Sequence, residues 1–100
     1  MSAIDTITRT LRIDATHPSL PGHFPGQPVV PGVVLLDRIA AALEDAGRGS
    51  FKRIGVVKFL APLLPGEDAQ LSASVDGARV NFRVERSGAP ILKGEGELHE

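Results

Sequence analysis

The sequence predicts an α+β fold, a single domain spanning residues 1–100, in which a curved antiparallel β-sheet wraps around one long central helix. Three observations lead there. Residues 31–46 repeat apolar side chains with a helical period. One segment before them and four after them are β-branched or alternate apolar with polar residues, as strands do. A chain of 100 residues holds one core, and no internal repeat or domain boundary divides it.

In order, residues 4–13 alternate Ile7, Leu11 and Ile13 against Thr6, Thr8, Thr10 and Arg12, with Arg9 interrupting the inward row. A loop with His17-Pro18 and Pro21-Gly22 leads into His23-Phe24-Pro25-Gly26-Gln27-Pro28-Val29-Val30-Pro31-Gly32. Proline fixes φ and glycine permits φ > 0, so this composition defines one loop path and holds His23 still. The helix is expected to begin at Pro31, because a first-turn N–H has no intrahelical partner, and Gly32 then lets another group approach closely. Leu35, Leu36, Ile39, Ala42, Leu43 and Ala46 cover one broad face, while Val33, Val34 and Ala41 carry apolar character around the first half. The helix should end near Ala46, with Gly47 and Gly49 available for a left-handed cap and Arg48 at the negative end of the dipole.

Residues 51–60 form an apolar strand in which Gly55 marks a bend or a close backbone approach; Pro62 ends it and Pro65-Gly66 makes a turn. Leu71, Ala73 and Val75 then alternate with Gln70, Ser72, Ser74 and Asp76, and Asp76-Gly77 predicts a type I′ hairpin turn. Ala78, Val80, Phe82 and Val84 alternate with Arg79, Asn81, Arg83 and Glu85, and Ser87-Gly88 closes a second hairpin into residues 91–98. Gly94 and Gly96 share the row of Leu92 and Leu98 and are expected to admit the helix closely. One helix on five strands leaves apolar edges, so a homodimer or higher homo-oligomer with paired sheets is expected.

Composition narrows the function. Hydrophobic residues at 42% and charged residues at 23% are ordinary for a globular protein, and the absence of cysteine excludes disulfides and thiolate metal sites. A formal charge of −1, with four Phe and neither Trp nor Tyr, argues against nucleic acid as a partner. No long apolar run and no leader-like pattern is present, so no membrane association and a cytoplasmic location are expected. Arg48, Lys52, Arg53 and Lys58 cluster after the helix and Arg79, Arg83 and Arg86 recur on a later strand; singly, each reads as solvated surface.

One compact segment offers chemistry. Of the three histidines, His17 and His99 read as loop and tail, whereas His23 has a structured setting. The free N–H groups near Gly32 and Val33 form a ready anion or oxyanion site. Asp37, in an apolar half-helix, is paired, at an interface or working. Beside Arg38, Glu44 and Asp45 it also reads as an ordinary surface acid. No metal is implied, since His23 and Asp37 lack further ligands at plausible spacing.

The run His23-Phe24-Pro25-Gly26, Pro28, Pro31-Gly32-Val33, Leu36 and Asp37 resembles the signature of the FabA/FabZ-type 3-hydroxyacyl-[acyl-carrier-protein] dehydratases, which have the hot-dog fold. The fourteen residues from His23 to Asp37 match that family's catalytic pair, and Phe59-Leu60-Ala61-Pro62-Leu63-Leu64-Pro65-Gly66 is similar to its Phe-x-x-Pro-Val-x-Pro-Gly strand and turn. The short length and an Asp as the acid are also similar to the small accessory (ApeI-like) dehydratases of aryl-polyene clusters. Two departures stand out: Ala41 replaces a frequent Gln, removing a hydrogen bond near the acid, and the sequence starts after the family's N-terminal helix and first strand.

The resemblance implies dehydration of (R)-3-hydroxyacyl-[acyl-carrier-protein] to trans-2-enoyl-[acyl-carrier-protein] in fatty-acid or polyene-type biosynthesis. His23 would be the base at C2, Asp37 the acid at the C3 hydroxyl, and the Gly32 and Val33 N–H groups the oxyanion hole. Work as an acid calls for burial of Asp37 beside Val29, Val30 and Leu36. The resemblance also implies a site shared across a dimer, no cofactor beyond the phosphopantetheine arm of the acyl carrier protein, and part of the basic set docking that carrier. Two other readings stay open: a hot-dog acyl thioesterase, and a non-catalytic carrier-binding subunit of a heteromeric dehydratase.

Overall fold

The computed structural model describes residues 4–13 and 29–99. They form β1 (Asp5–Leu11), α1 (Gly32–Asp45), β2 (Phe51–Phe59), β3 (Ala69–Asp76), β4 (Arg79–Arg86) and β5 (Ala89–Leu98). The strands make one sheet in the order β1-β3-β4-β5-β2, and all neighbours run antiparallel. The β3–β4–β5 meander fills the centre, and the strands that flank the helix in sequence, β1 and β2, are the two edges. This is the hot-dog arrangement the apolar pattern predicts.

Cross-strand register explains how the helix is held. Ile7, Ala73, Phe82, Gly94 and Val57 fall opposite one another in a single row across the sheet. Buried side chains of β3, β4 and β5 face Val34, Leu35, Ile39 and Leu43 of α1 in one apolar cluster. Every buried residue among those described is hydrophobic, so burial alone selects the helix face. Arg9, on the inward row of β1, is exposed at this edge, where an inward-pointing charge discourages further pairing.

Several boundaries differ from the sequence reading. Pro31 is the N-cap, extended at φ −60° and ψ 142°, and α1 starts one residue later at Gly32. Val33 and Ala41 are exposed, leaving a narrower apolar face. The C-terminus closes as a Schellman motif: Gly47, at φ 74°, donates to the Glu44 carbonyl and Arg48 donates to that of Leu43, both at 2.9 Å. Arg48 pairs with Asp5 of β1 rather than sitting free at the dipole.

The first hairpin turn differs from the type I′ turn expected at Asp76-Gly77. Asp76 pairs with Arg79, so the first turn is Gly77-Ala78; only Gly77 has positive φ, the II′ signature. The second, Ser87-Gly88, has positive φ at both residues, 50° and 82°, and is the I′ turn. Leu64 to Glu67 is a type II turn, with Pro65 at its first central position and Gly66 at φ 82°. Gly94 and Gly96 do not receive the helix. A side chain at Gly94 would meet the Phe82 ring, and one at Gly96 would meet the Arg53 carbonyl and the Phe51 ring, because the edge-to-face pair of Phe51 and Phe82 lies over them.

Most of strand β2 is exposed, with only Phe51 and Val57 half-buried against the core. Its register shifts between Ile54 and Val57, and Ile54, Val56 and Phe59, with Leu60 just beyond, are exposed. Together with exposed Val33 at the helix start, they give the apolar edge that the one-helix architecture predicts.

Candidate active site

The helix start defines the site. With Pro31 as cap, Gly32 and Val33 are the first two helical residues, whose N–H groups have no intrahelical acceptor. The Val34 N–H is taken by the Pro31 carbonyl at 3.0 Å. Gly32 has the close neighbour its sequence position predicts: a Cβ there would stand 2.6 Å from Cζ of Phe59. The absence of that Cβ lets an aromatic ring from the end of β2 lie against the first turn.

Beside these N–H groups opens a groove of about 470 Å³, lined by Val29, Val30, Pro31, Gly32 and Leu35 on the helix side and by Phe59, Leu60, Ala61, Pro62 and Leu63 on the other. The side chains that line it are all apolar, and its polar surface is backbone. Such a cleft, of a size within the roughly 300–1,000 Å³ range of small-molecule sites, suits an acyl chain ending at a group that accepts hydrogen bonds.

Asp37 lies elsewhere on the helix. It is exposed, not buried beside Val29, Val30 and Leu36 as expected, and it forms one exposed stripe with Val33 and Ala41. At 100° per residue this stripe is centred opposite Ile39 and Leu35, which are buried under 3% exposure. The carboxylate therefore points away from the sheet, on the far side of α1 from the groove. The Ala41 methyl, one turn further on, gives it no hydrogen-bond partner.

The remaining motif positions His23, Phe24, Pro25, Gly26 and Pro28 lie outside the described residues, as does His17. The described residues on either side, Ile13 and Val30, are held to one turn. The Gly66 N–H donates to the Ile13 carbonyl at 2.8 Å and the Val30 N–H to the Leu63 carbonyl at 2.9 Å. Glu67 steadies that turn, and the Leu64 N–H above all holds its carboxyl below the ordinary value of 4.5, outweighing the opposing desolvation with further help from Arg86.

Sequence reasoning did not place Phe59, Leu60, Pro62 and Leu63 in the site. The signal was there in the Phe-x-x-Pro run, which marks a strand end and a turn but does not say which other segment they face. The basic residues are mostly committed within the chain: Arg53 to Glu97, Arg83 to Glu85 and Arg86 to Glu67. Among the described residues no cluster of His, Cys, Asp and Glu is arranged to hold a metal ion, and no helix is long and apolar enough to cross a membrane.

Comparison with known proteins gives three results. The family model described as ApeI-like, ApeI dehydratase, matches residues 2–95. Among curated proteins, the 3-hydroxyacyl-[acyl-carrier-protein] dehydratase FabZ of Haemophilus influenzae (strain PittEE) is 36% identical over 93 residues, covering 83% of this chain and 62% of that protein. The enzyme of the same name from Thiobacillus denitrificans is 34% identical over 96 residues, covering 89% and 55%. The chain thus spans a little over half the length of the curated relatives it matches. Among solved structures, a chain of "The Dehydratase Heterocomplex ApeI:P from Xenorhabdus doucetiae" superposes with a TM-score of 0.84 at 27% identity, covering 100% of this chain and 97% of that one. An uncharacterized protein from Erwinia carotovora subsp. atroseptica gives 0.78 at 25% identity, covering 96% and 84%.

Proposed function

The chain belongs to the ApeI-like dehydratase family, and from that premise we propose that it removes water from a 3-hydroxyacyl group carried as a thioester on the phosphopantetheine of an acyl carrier protein, giving the trans-2-enoyl product. The observation that carries this reading is the apolar groove ending at the free N–H groups of Gly32 and Val33. An acyl chain lying in it brings its thioester oxygen to two backbone donors at the positive end of α1, where enolate charge develops. His23 takes the proton from C2, the C2–C3 double bond forms, and Asp37 gives its proton to the departing C3 hydroxyl, which leaves as water. The next turnover requires the proton held by His23 to return to Asp37 through solvent or substrate.

Asp37 and the groove are on opposite sides of one helix, so a single chain does not present both to one substrate. A second subunit resolves this, with Asp37 of each chain serving the groove of the other. The exposed edge of Ile54, Val56, Phe59 and Leu60, with Val33 on the helix, supplies apolar surface for that pairing. A second copy of this chain is the simplest partner. A related dehydratase is the other, favoured by the superposition on a chain from a dehydratase heterocomplex.

Mass spectrometry of aliphatic and aryl 3-hydroxyacyl carrier proteins, incubated with the purified protein and with its His23→Ala and Asp37→Ala variants, tests the reading. Loss of one water by wild type, abolished in both variants, is the expected result. Release of free carrier thiol without an enoyl product would assign a thioesterase instead. An unchanged mass on every substrate would point instead to a partner-dependent or non-catalytic subunit.

A further inference from the structure

We propose that Arg86 is a positioning residue that holds the outer wall of the groove in register with the start of α1. The proposal rests on the acyl-binding reading above for its kinetic consequence, but not for its structural one. After β2 the chain crosses residues 60–68 outside any strand, tied to β5 at its start by the Leu60 and Ala61 N–H groups, which donate to the Ile91 carbonyl at 2.8 Å and 3.4 Å. Beyond Ala61, Pro62 and Pro65 have no N–H, so the rest of the stretch cannot secure itself by ladder pairing. It is nonetheless the wall that faces Gly32 and Leu35 across the groove.

From Pro62 to Glu67 the wall is held by a short relay of hydrogen bonds that begins at the end of β4, beside the Gly66 N–H bond to the Ile13 carbonyl. Arg86 is the last residue of β4 and its backbone pairs with Ala89 of β5. Its Nη1 donates to the Pro62 carbonyl at 3.0 Å and to Oε1 of Glu67 at 2.8 Å. The same Oε1 accepts the Leu64 N–H at 2.9 Å, and the Leu63 carbonyl between them accepts the Val30 N–H at 2.9 Å. Val30 immediately precedes Pro31, the cap of α1. One guanidinium therefore references the wall to the end of the central strand β4, and the wall references the backbone that aims the first-turn N–H groups.

Energetics separates this role from a general structural one. The Arg86 and Glu67 side chains are 31% and 34% exposed, and partly solvated ion pairs contribute little to global stability. Placement is different, because a groove wall that shifts by a fraction of an ångström changes every contact along the acyl chain, and the loss grows with chain length. Arg86 reaches both acceptors through the two N–H bonds of Nη1, and a lysine ammonium, on a shorter stem and without the planar guanidinium, reproduces them only in part.

Two measurements on the full chain test this. Amide hydrogen exchange by NMR, comparing wild type with Arg86→Met and Arg86→Lys, should show faster exchange at Val30, Leu64 and Gly66 in Arg86→Met, a smaller effect in Arg86→Lys, and no change at the centres of β3 and β4. Unchanged exchange at Val30 and Leu64 would overturn the proposal, as would uniform acceleration across the sheet. Steady-state kinetics on carrier proteins bearing short and long 3-hydroxyacyl chains should show kcat/KM of Arg86→Met falling on the order of tenfold for the long chain and much less for the short one, mainly through KM, with partial rescue by Arg86→Lys. An equal loss at every chain length would refute the groove-wall role. Wild-type protein inactive on all substrates would count against the dehydratase reading, while the exchange result would still decide the role of Arg86.

Discussion

Replacing Gly94 by alanine puts a methyl group where the structure has none to spare. The new Cβ would stand 2.6 Å and 2.7 Å from Cε1 and Cζ of Phe82 and 3.1 Å from Cγ2 of Val57. Phe82 is only 3% exposed and stacks edge-to-face on Phe51 at 5.7 Å between centroids, so its ring has nowhere to retreat. Overpacking of this kind costs about 1–3 kcal/mol, from which the loss of glycine's unfolded-state freedom returns roughly 0.5–1 kcal/mol. At mid-range values the net is about 1 kcal/mol, or roughly 4–8 °C in Tm for a domain of this size. Thermal unfolding followed by circular dichroism at one fixed protein concentration reads it. Truncating the ring relieves the clash, so Gly94→Ala combined with Phe82→Leu should cost less than the sum of the single variants by about 1 kcal/mol. Gly32→Ala serves as the control: its Cβ meets the Phe59 ring at comparable distance, but Phe59 is 56% exposed and can swing outward. It should change stability by less than about 1 kcal/mol while narrowing the groove. A Gly94→Ala protein as stable as wild type, or strict additivity with Phe82→Leu, would refute the packing argument.

Other consequences can be checked more briefly. Asp37→Asn should leave Tm within about 1–2 °C of wild type, because the side chain is exposed, yet lower dehydration by about a hundredfold or more; a proportionate loss of both would contradict the assignment. Mixed dimers of His23→Ala with Asp37→Ala chains should regain activity that neither parent has, and verified mixed dimers without recovery would argue against a shared site. Ser87 occupies the left-handed region at φ 50°, so Ser87→Asn, which completes an Asn-Gly I′ turn, should raise stability by about 0.5–1 kcal/mol in urea unfolding. Glu67 is held below its ordinary value, so its ionised form stabilises the fold above about pH 4.5, and that contribution fades as pH falls through the lower folded value. The Tm difference between wild type and Glu67→Gln should therefore be largest near neutral pH and shrink in acid; a constant difference would exclude the link.

The sequence made the architecture legible where side chains alternate between core and water. Leu71-Ala73-Val75 and Val80-Phe82-Val84 could face only one way, and the structure buries all six. It was misleading where backbone geometry is shared between neighbours. Asp76-Gly77 looks like a I′ turn because Asp-Gly is its favoured dipeptide, but the register of β3 with β4 moves the turn to Gly77-Ala78. Gly94 and Gly96 looked like clearance for the helix because they lie on its side of the sheet. They are clearance for aromatic rings instead, a choice set by which strands become neighbours. The site divides similarly. Gly32 signalled a close approach, but not that Phe59 would make it. The exposure of Asp37 was visible in its place beside Arg38 and Glu44, although the motif drew attention to burial.

Strand order also has a consequence during synthesis. Leu11 of β1 pairs with Ala69 of β3, 58 positions later in the chain, so β1 waits for the neighbour it has among the described residues. At roughly 5–20 residues per second that wait is about 3–12 s, during which β1 is an unpaired ribbon in a crowded solution. Its composition suits the delay. Asp5, Thr6, Thr8, Arg9 and Thr10 leave only Ile7 and Leu11 as large apolar groups along β1, too few and too widely spaced to seed association with another nascent chain. The meander of β3, β4 and β5, joined by two-residue turns, can assemble locally and then offer β1 a finished edge. The polar residues that make β1 a modest contributor to the completed core are the ones that keep it soluble until its partner exists.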